Sequence, residues 1–230
     1  MKNIRLVIAG CGGLGQEVLW ATRRSQAQTS DSFLDILGFC DDVPPPGNMG
    51  LEGLPFLGLI DNDLLGIKPN RPTHFICAIG NNLARKRVCG VLEAMGLEPW
   101  TVIDPSVIVG PSVKLGSGSY VGAGSILSPG SGLGHHVIVN HACSIGHDSI
   151  LSDFSQACPG TRVSGWASVG EGALLGSNSV VAPKVSIGAW SILGAVSLAS
   201  RDIPTGVTAL GTPAKIVFQK PQPPTNQEHQ

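Results

Sequence analysis

Residues 139–150 read VNHACSIGHDSI, two copies of a six-residue unit that decides the fold. Each copy opens with an aliphatic residue, here Val139 and Ile145, and has a small or β-branched residue four positions later. The unit repeats without insertion from residue 103 to residue 198, and fifteen of its sixteen opening residues are Ile, Leu or Val. A fixed period of six fits neither an α-helix nor an alternating strand, so it indicates a solenoid of short repeats.

The physical interpretation of this repeat is a triangular coil. Each unit supplies one short strand and one corner, and three units close a turn. The aliphatic side chain points into a narrow prism, and the residue four positions later points the same way beside the corner, where only a small side chain fits. At eighteen residues per turn, residues 103–198 predict a little over five coils. Because neighbouring strands lie roughly 4.8 Å apart, the column should be about 25 Å tall.

The first 97 residues follow a different pattern, which predicts a small α/β domain. Residues 4–9 form a continuous apolar run, typical of a strand buried on both faces, and further strands are expected at residues 35–40 and 73–79. Helical patterns follow the first and third strands, and a short helix is expected at residues 61–65. Alternating strands and helices predict a parallel sheet. The expected segments are the α/β domain (1–97), the repeat column (98–219) and a disordered polar tail (220–230).

Composition limits the partners and the compartment. The net charge is −1 and no basic run occurs, which disfavours nucleic acid and anionic membranes as partners. The six cysteines are scattered, as expected for a reducing cytosol, and Cys143 and Cys158 occupy positions that predict a structural rather than a nucleophilic role. Neither a signal peptide nor a run of roughly 18 apolar residues is found, so we expect a cytoplasmic protein.

A glycine-rich turn lies between the first predicted strand and the first helix. Gly10, Gly12 and Gly15 satisfy the dinucleotide-binding fingerprint, and Asp41 and Asp42 end the second predicted strand. Backbone N–H groups at such a helix N-terminus favour a phosphate. The turn is compatible with NAD(P), a sugar nucleotide or no ligand at all; the small domain favours a sugar nucleotide. The two aspartates could bind a base or ribose, or form a solvated turn.

Four histidines fall within thirteen residues of the repeat. His135, His141 and His147 share the third position of the unit, so they point outward at successive corners and cannot converge on one ligand. For His135 and His136 we expect solvated corners. A zinc site of the γ-carbonic anhydrase kind is an alternative because of the spacing of His136 and His141, but it needs another histidine upstream, and none lies between His74 and His135.

His147 is the candidate general base. Asp148 follows it and could orient the imidazole and stabilise its cation. Eighteen residues later, one coil above, lies Gly165, which leaves an open slot and a free N–H group over His147. A thioester carbonyl would fit there.

The whole set of motifs resembles the NeuD/PglD-type sugar acyltransferases. These proteins join a small α/β domain to a hexapeptide-repeat column folded as a left-handed parallel β-helix, and they acetylate amino sugars or sialic acids. The matching motifs are Gly10-Cys11-Gly12-Gly13-Leu14-Gly15, Asp41-Asp42, Ile79-Gly80-Asn81-Asn82 with Arg85, Val139-Asn140-His141, Ile145-Gly146-His147-Asp148 and Gly211-Thr212-Pro213-Ala214-Lys215. Together they span nearly the whole chain.

The resemblance implies roles for particular residues. His147 would be the general base with Asp148 as its acidic partner, and active sites would lie between the columns of a homotrimer. The residues implied for the nucleotide are Gly12, Gly13, Asp41 and Asp42, with Gly80 and Asn81 nearby. Those implied for the pantetheine of acetyl-CoA are Gly165, Ser177 and Ala195. The chain departs from the family at Leu14 and Gln156, where a histidine is common.

We therefore expect acetyl-CoA-dependent N-acetylation of a nucleotide-linked amino sugar, without a metal, in the synthesis of a surface polysaccharide. O-acetylation of a sialic-acid-like sugar is the first alternative, because one histidine base can serve an amine or a hydroxyl. A trimer that binds a sugar nucleotide without catalysis is another.

Overall fold

The computed structural model describes residues 2–28, 32–43, 45, 51–60 and 72–219. The helix expected at residues 61–65 and the tail expected at residues 220–230 lie outside the described residues.

The N-terminal part of the chain forms a five-stranded parallel sheet in the order β3-β2-β1-β4-β5. Its elements are β1 (Lys2–Ala9), α1 (Gly13–Gln28), β2 (Ser32–Asp41), β3 (Phe56–Leu59), β4 (Thr73–Cys77), α2 (Asn82–Ala94) and β5 (Glu98–Pro99). Leu6, Val7 and Ile8 of β1 are fully buried, which is why this strand reads as a continuous apolar run. The strand order reverses between β1 and β4, so a crevice opens at the carboxyl ends of these two strands.

Residues 102–199 form the predicted column, a left-handed parallel β-helix of two-residue strands. Each strand pairs in parallel with the strand eighteen residues away; Val102 pairs with Tyr120, Tyr120 with Ile138 and Ile138 with Gln156. The strands are β6 (Val102–Ile103), β7 (Ile108–Val109), β8 (Lys114–Leu115), β9 (Tyr120–Val121), β10 (Ile126–Leu127), β11 (Gly132–Leu133), β12 (Ile138–Val139), β13 (Ser144–Ile145), β14 (Ile150–Leu151), β15 (Gln156–Ala157), β16 (Arg162–Val163), β17 (Ser168–Val169), β18 (Leu174–Leu175), β19 (Val180–Val181), β20 (Ser186–Ile187), β21 (Ile192–Leu193) and β22 (Leu198–Ala199).

The column has three faces. The first face contains β6, β9, β12, β15, β18 and β21, and β23 (Val207–Leu210) and β24 (Lys215–Gln219) extend it. The second face contains β7, β10, β13, β16, β19 and β22; the third contains β8, β11, β14, β17 and β20. Three corners join these faces: the first–second, the second–third and the third–first corner.

The interior follows the six-residue pattern. The aliphatic residues from Val121 onward are buried, and the small residues beside the corners are buried with them. Ser125 shows why small polar residues suit these positions: its hydroxyl donates to the Asn140 carbonyl at 2.8 Å and accepts from the Cys143 N–H at 3.1 Å. The Ser125 hydroxyl therefore links successive coils while its polar atom remains satisfied.

The α/β domain packs on the first face through a shared hydrophobic cluster, which includes Leu19 and Tyr120, and through one buried cation. Arg85 of α2 is fully buried, and its guanidinium donates to the carbonyls of His136 at 3.1 Å, Ile79 at 2.8 Å and Phe154 at 2.6 Å. Burial lowers the pKa of this guanidinium to about 10. Asn82 adds a bond to the Gly172 carbonyl at 3.0 Å. The domain is thus fixed to the first face and to the third–first corner.

The prediction of a solvated corner for His136 was wrong. Its ring is 3% exposed and stacks between Phe75 and Phe154, with centroids 5.9 and 5.0 Å away. Its Nε2 lies 2.9 Å from the Glu93 carboxylate of α2. Because the docked domain covers this corner, His136 is buried, whereas the neighbouring His135 is exposed as predicted.

Candidate active site

The second–third corner carries the predicted base. His147 follows β13 and is half-exposed, and its Nδ1 lies 3.0 Å from Oδ2 of Asp148. Asp148 has a φ of 57°, so its backbone turns the carboxylate back toward the imidazole of the preceding residue. A carboxylate accepts the Nδ1–H, which leaves the lone pair of Nε2 available for a proton.

Gly165 lies against the imidazole, one coil above. A Cβ built on Gly165 would lie 2.5 Å from Nε2 of His147 and 2.7 Å from Cε1. Among the hydrogen bonds of the described residues, none uses the Gly165 N–H. The ring nitrogen that can take a proton and a main-chain donor therefore occupy the same small space.

Trp166 also contacts the base, and sequence reasoning missed it. Its ring centroid lies 4.3 Å from that of His147, with the planes at 87°. The eighteen-residue register could have found it, because Trp166 lies one coil above Asp148.

The three residues predicted for the pantetheine do not share a corner. Gly165 lies at the second–third corner, whereas Ser177 and Ala195 lie one above the other at the first–second corner. The Ser177 carbonyl accepts from the N–H of Val196 at 2.9 Å. These residues therefore flank the two edges of the second face.

A cavity of about 300 Å³ opens at the switch point of the N-terminal sheet. It brings together five of the six residues predicted for the nucleotide. It is lined by Gly10, Gly12, Gly13, Leu14, Asp41, Asp42, Ala78, Ile79 and Gly80.

The glycines of this loop differ in what surrounds them. A Cβ on Gly15 would lie 2.2 Å from the Gly10 carbonyl oxygen, and one on Gly10 would lie 2.6 Å from that of Ala78. In contrast, a Cβ on Gly12 or Gly13 would meet nothing within 4 Å. Gly10 and Gly15 therefore permit close backbone packing, while Gly12 and Gly13 border open space at the N-terminus of α1, where a phosphate is favoured.

Asp41 and Asp42 both make contacts within the protein. Asp41 accepts from the N–H of Cys11 at 2.6 Å and from that of Asp42 at 2.7 Å, so it joins the loops after β1 and β2. Asp42 forms an ion pair with Arg87 of α2. The remaining predicted residue, Asn81, is the N-cap of α2 and accepts from the Ala84 N–H at 3.0 Å.

The two departures from the family pattern have clear positions. Leu14 lines the cavity, and Gln156 is buried at the domain junction, where its Oε1 lies 3.4 Å from the guanidinium of Arg85. A covalent nucleophile is disfavoured at Cys143, since burial raises the pKa of its thiol to about 11. Burial also raises the pKa of the Cys158 thiol.

The described residues contain no group of three or more His, Cys, Asp and Glu side chains that could hold a metal ion. Within the same part of the chain, no helix is long and apolar enough to cross a membrane.

One chain does not bring the two candidate sites together. The nucleotide cavity belongs to the domain docked on the first face, whereas His147 lies at the corner opposite that face. Six residues per side, at about 3.3 Å each, put roughly 15–20 Å of column between them.

A left-handed β-helix, a switch-point cavity in the N-terminal domain and a His–Asp pair at one corner form the arrangement expected of a hexapeptide-repeat acyltransferase. Comparison with known proteins refines that class. The family of the PglD N-terminal domain matches residues 5–92. No curated protein sequence matches the chain.

Three solved structures are similar over nearly their full length. The acetyltransferase domain of PglB from Neisseria gonorrhoeae, in complex with acetyl coenzyme A, is 29% identical with a TM-score of 0.82, covering 94% of this chain and 100% of that one. A mutant perosamine N-acetyltransferase from Caulobacter crescentus, in complex with CoA and GDP-perosamine, is 32% identical with a TM-score of 0.82, covering 93% and 97%. WeeI from Acinetobacter baumannii is 25% identical with a TM-score of 0.80, covering 94% and 100%. The chain therefore belongs to the NeuD/PglD-type sugar acyltransferase family, and the predicted acyltransferase class is confirmed.

Proposed function

We propose that this protein transfers the acetyl group of acetyl-CoA to the amino group of a nucleotide-linked amino sugar. The observation that carries the proposal is the His147–Asp148 pair beneath Gly165, where the absence of a side chain lets the imidazole pack with Nε2 against the glycine backbone. Acetyl coenzyme A in the gonococcal relative and GDP-perosamine in the Caulobacter relative support the two substrate classes.

His147 serves as the general base in a direct transfer. The neutral amine attacks the thioester carbonyl, and Nε2 of His147 takes the proton that nitrogen loses as the C–N bond forms. The Gly165 N–H donates to the oxygen, where negative charge develops. The C–S bond then breaks, and the imidazolium returns its proton to the departing thiolate. Asp148 accepts the Nδ1–H throughout and stabilises the imidazolium.

The nucleotide is held by the N-terminal cavity. Its phosphates lie against the N–H groups of Gly12 and Gly13 at the start of α1, beside Gly80. Asp41 and Asp42 act at the same edge, Asp41 by holding the two loops together and Asp42 at the rim beside Arg87.

A homotrimer completes the site. The nucleotide cavity and His147 lie on opposite sides of one column, so the cavity of one subunit must serve His147 of its neighbour. The pantetheine would follow the second face between its two edges, from Gly165 toward Ser177 and Ala195. We place this trimer in the cytoplasm, in the synthesis of a surface polysaccharide.

Coenzyme A release from acetyl-CoA, measured with UDP-, dTDP- and GDP-linked amino sugars, tests the proposal. We expect release with at least one amino sugar and none with its deaminated, hydroxyl-bearing counterpart. Mass spectrometry of the product should show an alkali-stable amide. An alkali-labile ester would instead identify an O-acetyltransferase, and nucleotide binding without any release would identify a binding protein.

Subunit mixing tests the shared site. His147→Ala abolishes the base and Gly13→Trp blocks the nucleotide cavity, so each variant alone should be nearly inactive. Refolding them together should restore activity, because some mixed trimers contain an interface with both functional halves. Mixtures that remain as inactive as the parents would show that the site is not shared between subunits.

A further inference from the structure

Trp166 is a large apolar residue in an unfavourable place. Its side chain is 56% exposed at the second–third corner, and its φ is 56°. Left-handed backbone disfavours bulky side chains, and an exposed indole gains little from burial. The corner does not require a large residue, because Ala142 occupies the same position of the six-residue unit with a φ of 57°.

The contact that Trp166 makes is with the candidate base. The imidazole of His147 packs against the indole, with centroids 4.3 Å apart and planes at 87°, and the N–H of Trp166 donates to the His147 carbonyl at 3.0 Å. The Lys184 ammonium lies 5.7 Å from the indole centroid, within range of a cation–π contact. The indole therefore has a second neighbour besides the imidazole.

This contact is the third that the imidazole makes within the chain, besides those with Asp148 and Gly165. Asp148 holds Nδ1, the backbone of Gly165 lies over Nε2 and Cε1, and the indole stands against the ring. A half-exposed histidine without such contacts keeps several rotamers, and selecting one of them costs free energy in every turnover.

We propose that Trp166 is a positioning residue that holds the His147 imidazole in the orientation in which Nε2 accepts the proton. The inference rests on the proposed function, since it assigns to Trp166 an action through that base. In this role Trp166 does not itself contact either substrate.

Trp190 is a matched control in the same chain. It occupies the same position of the unit, has a φ of 57° and has the Lys86 ammonium 5.4 Å from its ring. It lies at the third–first corner, against Gly172, on the side of the column away from His147.

Steady-state kinetics of Trp166→Ala, Trp166→Phe and Trp190→Ala separate positioning from binding. We expect Trp166→Ala to lower kcat about tenfold, as for modest misplacement of a reacting group, with both KM values within about twofold. Trp166→Phe should recover most of the rate, and Trp190→Ala should match the wild type. A rise in either KM with kcat unchanged would overturn the proposal, because the indole would then bind substrate.

A double-mutant cycle gives the sharper comparison. If Trp166 acts through His147, Trp166→Ala should not slow the residual reaction of His147→Ala any further. A further loss of about tenfold in that background, equal to the loss in the wild type, would overturn the proposal.

Proton NMR of the imidazole provides a readout without turnover. The His147 ring signals are assigned by their disappearance in His147→Ala, and they should move in Trp166→Ala but not in Trp190→Ala. Unmoved signals would overturn the positioning contact, whereas absence of acetyl transfer in the sugar panel would overturn the proposed function. The two failures are therefore distinguishable.

Discussion

Replacing Gly165 with alanine adds one carbon atom next to the proposed base. The new Cβ would lie 2.5 Å from Nε2 of His147, 2.7 Å from Cε1 and 3.0 Å from Cδ2. Because ordinary contacts between such atoms are about 3.5 Å, the imidazole must retreat by about 1 Å. The backbone of Gly165 lies outside the left-handed region, so alanine brings no conformational strain of its own.

Gly165→Ala should slow catalysis while it leaves the unfolding free energy almost unchanged. Displacement of a reacting group by about 1 Å is worth about a hundredfold in rate, or about 2.7 kcal/mol of transition-state free energy. The half-exposed imidazole can swing away from the new methyl group, so unfolding free energy should change by less than about 0.5 kcal/mol.

Coenzyme A release at saturating substrate, paired with thermal unfolding, measures both effects. Gly165→Ala should lose about a hundredfold in kcat with an unchanged Tm, and it should have no further effect in a His147→Ala background. Wild-type kcat in Gly165→Ala, with an intact fold, would refute the reasoning, because it would show that the reaction does not depend on the position of the imidazole against Gly165.

Three other predictions concern the domain junction and the nucleotide cavity. Arg85→Ala should lower the unfolding free energy by about 3 kcal/mol, and Tm by roughly 6–12 °C, because it leaves buried carbonyls without donors. Burial is the main reason that the pKa of His136 in the folded protein lies below 6.5, so the unfolded chain binds a proton at this residue more readily than the folded chain does. The contribution of His136 to stability should therefore be fully present above pH 6.5, and the unfolding free energy should fall below that pH by at most about 1.4 kcal/mol per pH unit. In chemical denaturation, His136→Asn should remove this part of the pH dependence. Asp41→Asn should weaken sugar-nucleotide binding about tenfold in calorimetry, because an amide has one acceptor oxygen for the loops that the carboxylate holds with two.

A neighbouring residue supplies the control. Lys86→Ala removes an exposed ion pair beside Arg85 and should cost less than about 1 kcal/mol. An Arg85→Ala protein as stable as Lys86→Ala, or a pH dependence unchanged in His136→Asn, would contradict the account of the junction.

The column and the position of His147 could be read from the sequence because the repeat has no insertions. A constant period fixes which residues lie one above the other, so Gly165 could be placed over His147 by counting eighteen residues. The same count extends to the strand register, where Ile138 pairs with Gln156.

The errors and omissions come from contacts between distant parts of the chain. The position of His136 in the six-residue unit is that of a corner residue, which would ordinarily be solvated, but the docked α/β domain covers it. The sequence motif around Arg85 did not reveal that this cation would be buried among carbonyls of the column. Packing of one domain on one face leaves no periodic signal, so neither fact could be predicted from the repeat.

The sequence identified the residues expected to bind the nucleotide as a motif, but it did not reveal the structural role of each one. Gly12 and Gly15 look alike in the fingerprint, yet only Gly12 borders open space. Asn81, which was expected near the nucleotide, caps α2 through its side chain. Such distinctions depend on what each Cβ or amide would meet in three dimensions.

The most direct test of the account is kcat for acetyl transfer by His147→Ala at saturating acetyl-CoA and amino-sugar nucleotide. We predict a fall of about 10²–10⁴-fold, the range expected for loss of a general base, with binding of both substrates retained. A His147→Ala enzyme that turns over at the wild-type rate would contradict the claim that this corner histidine carries the proton.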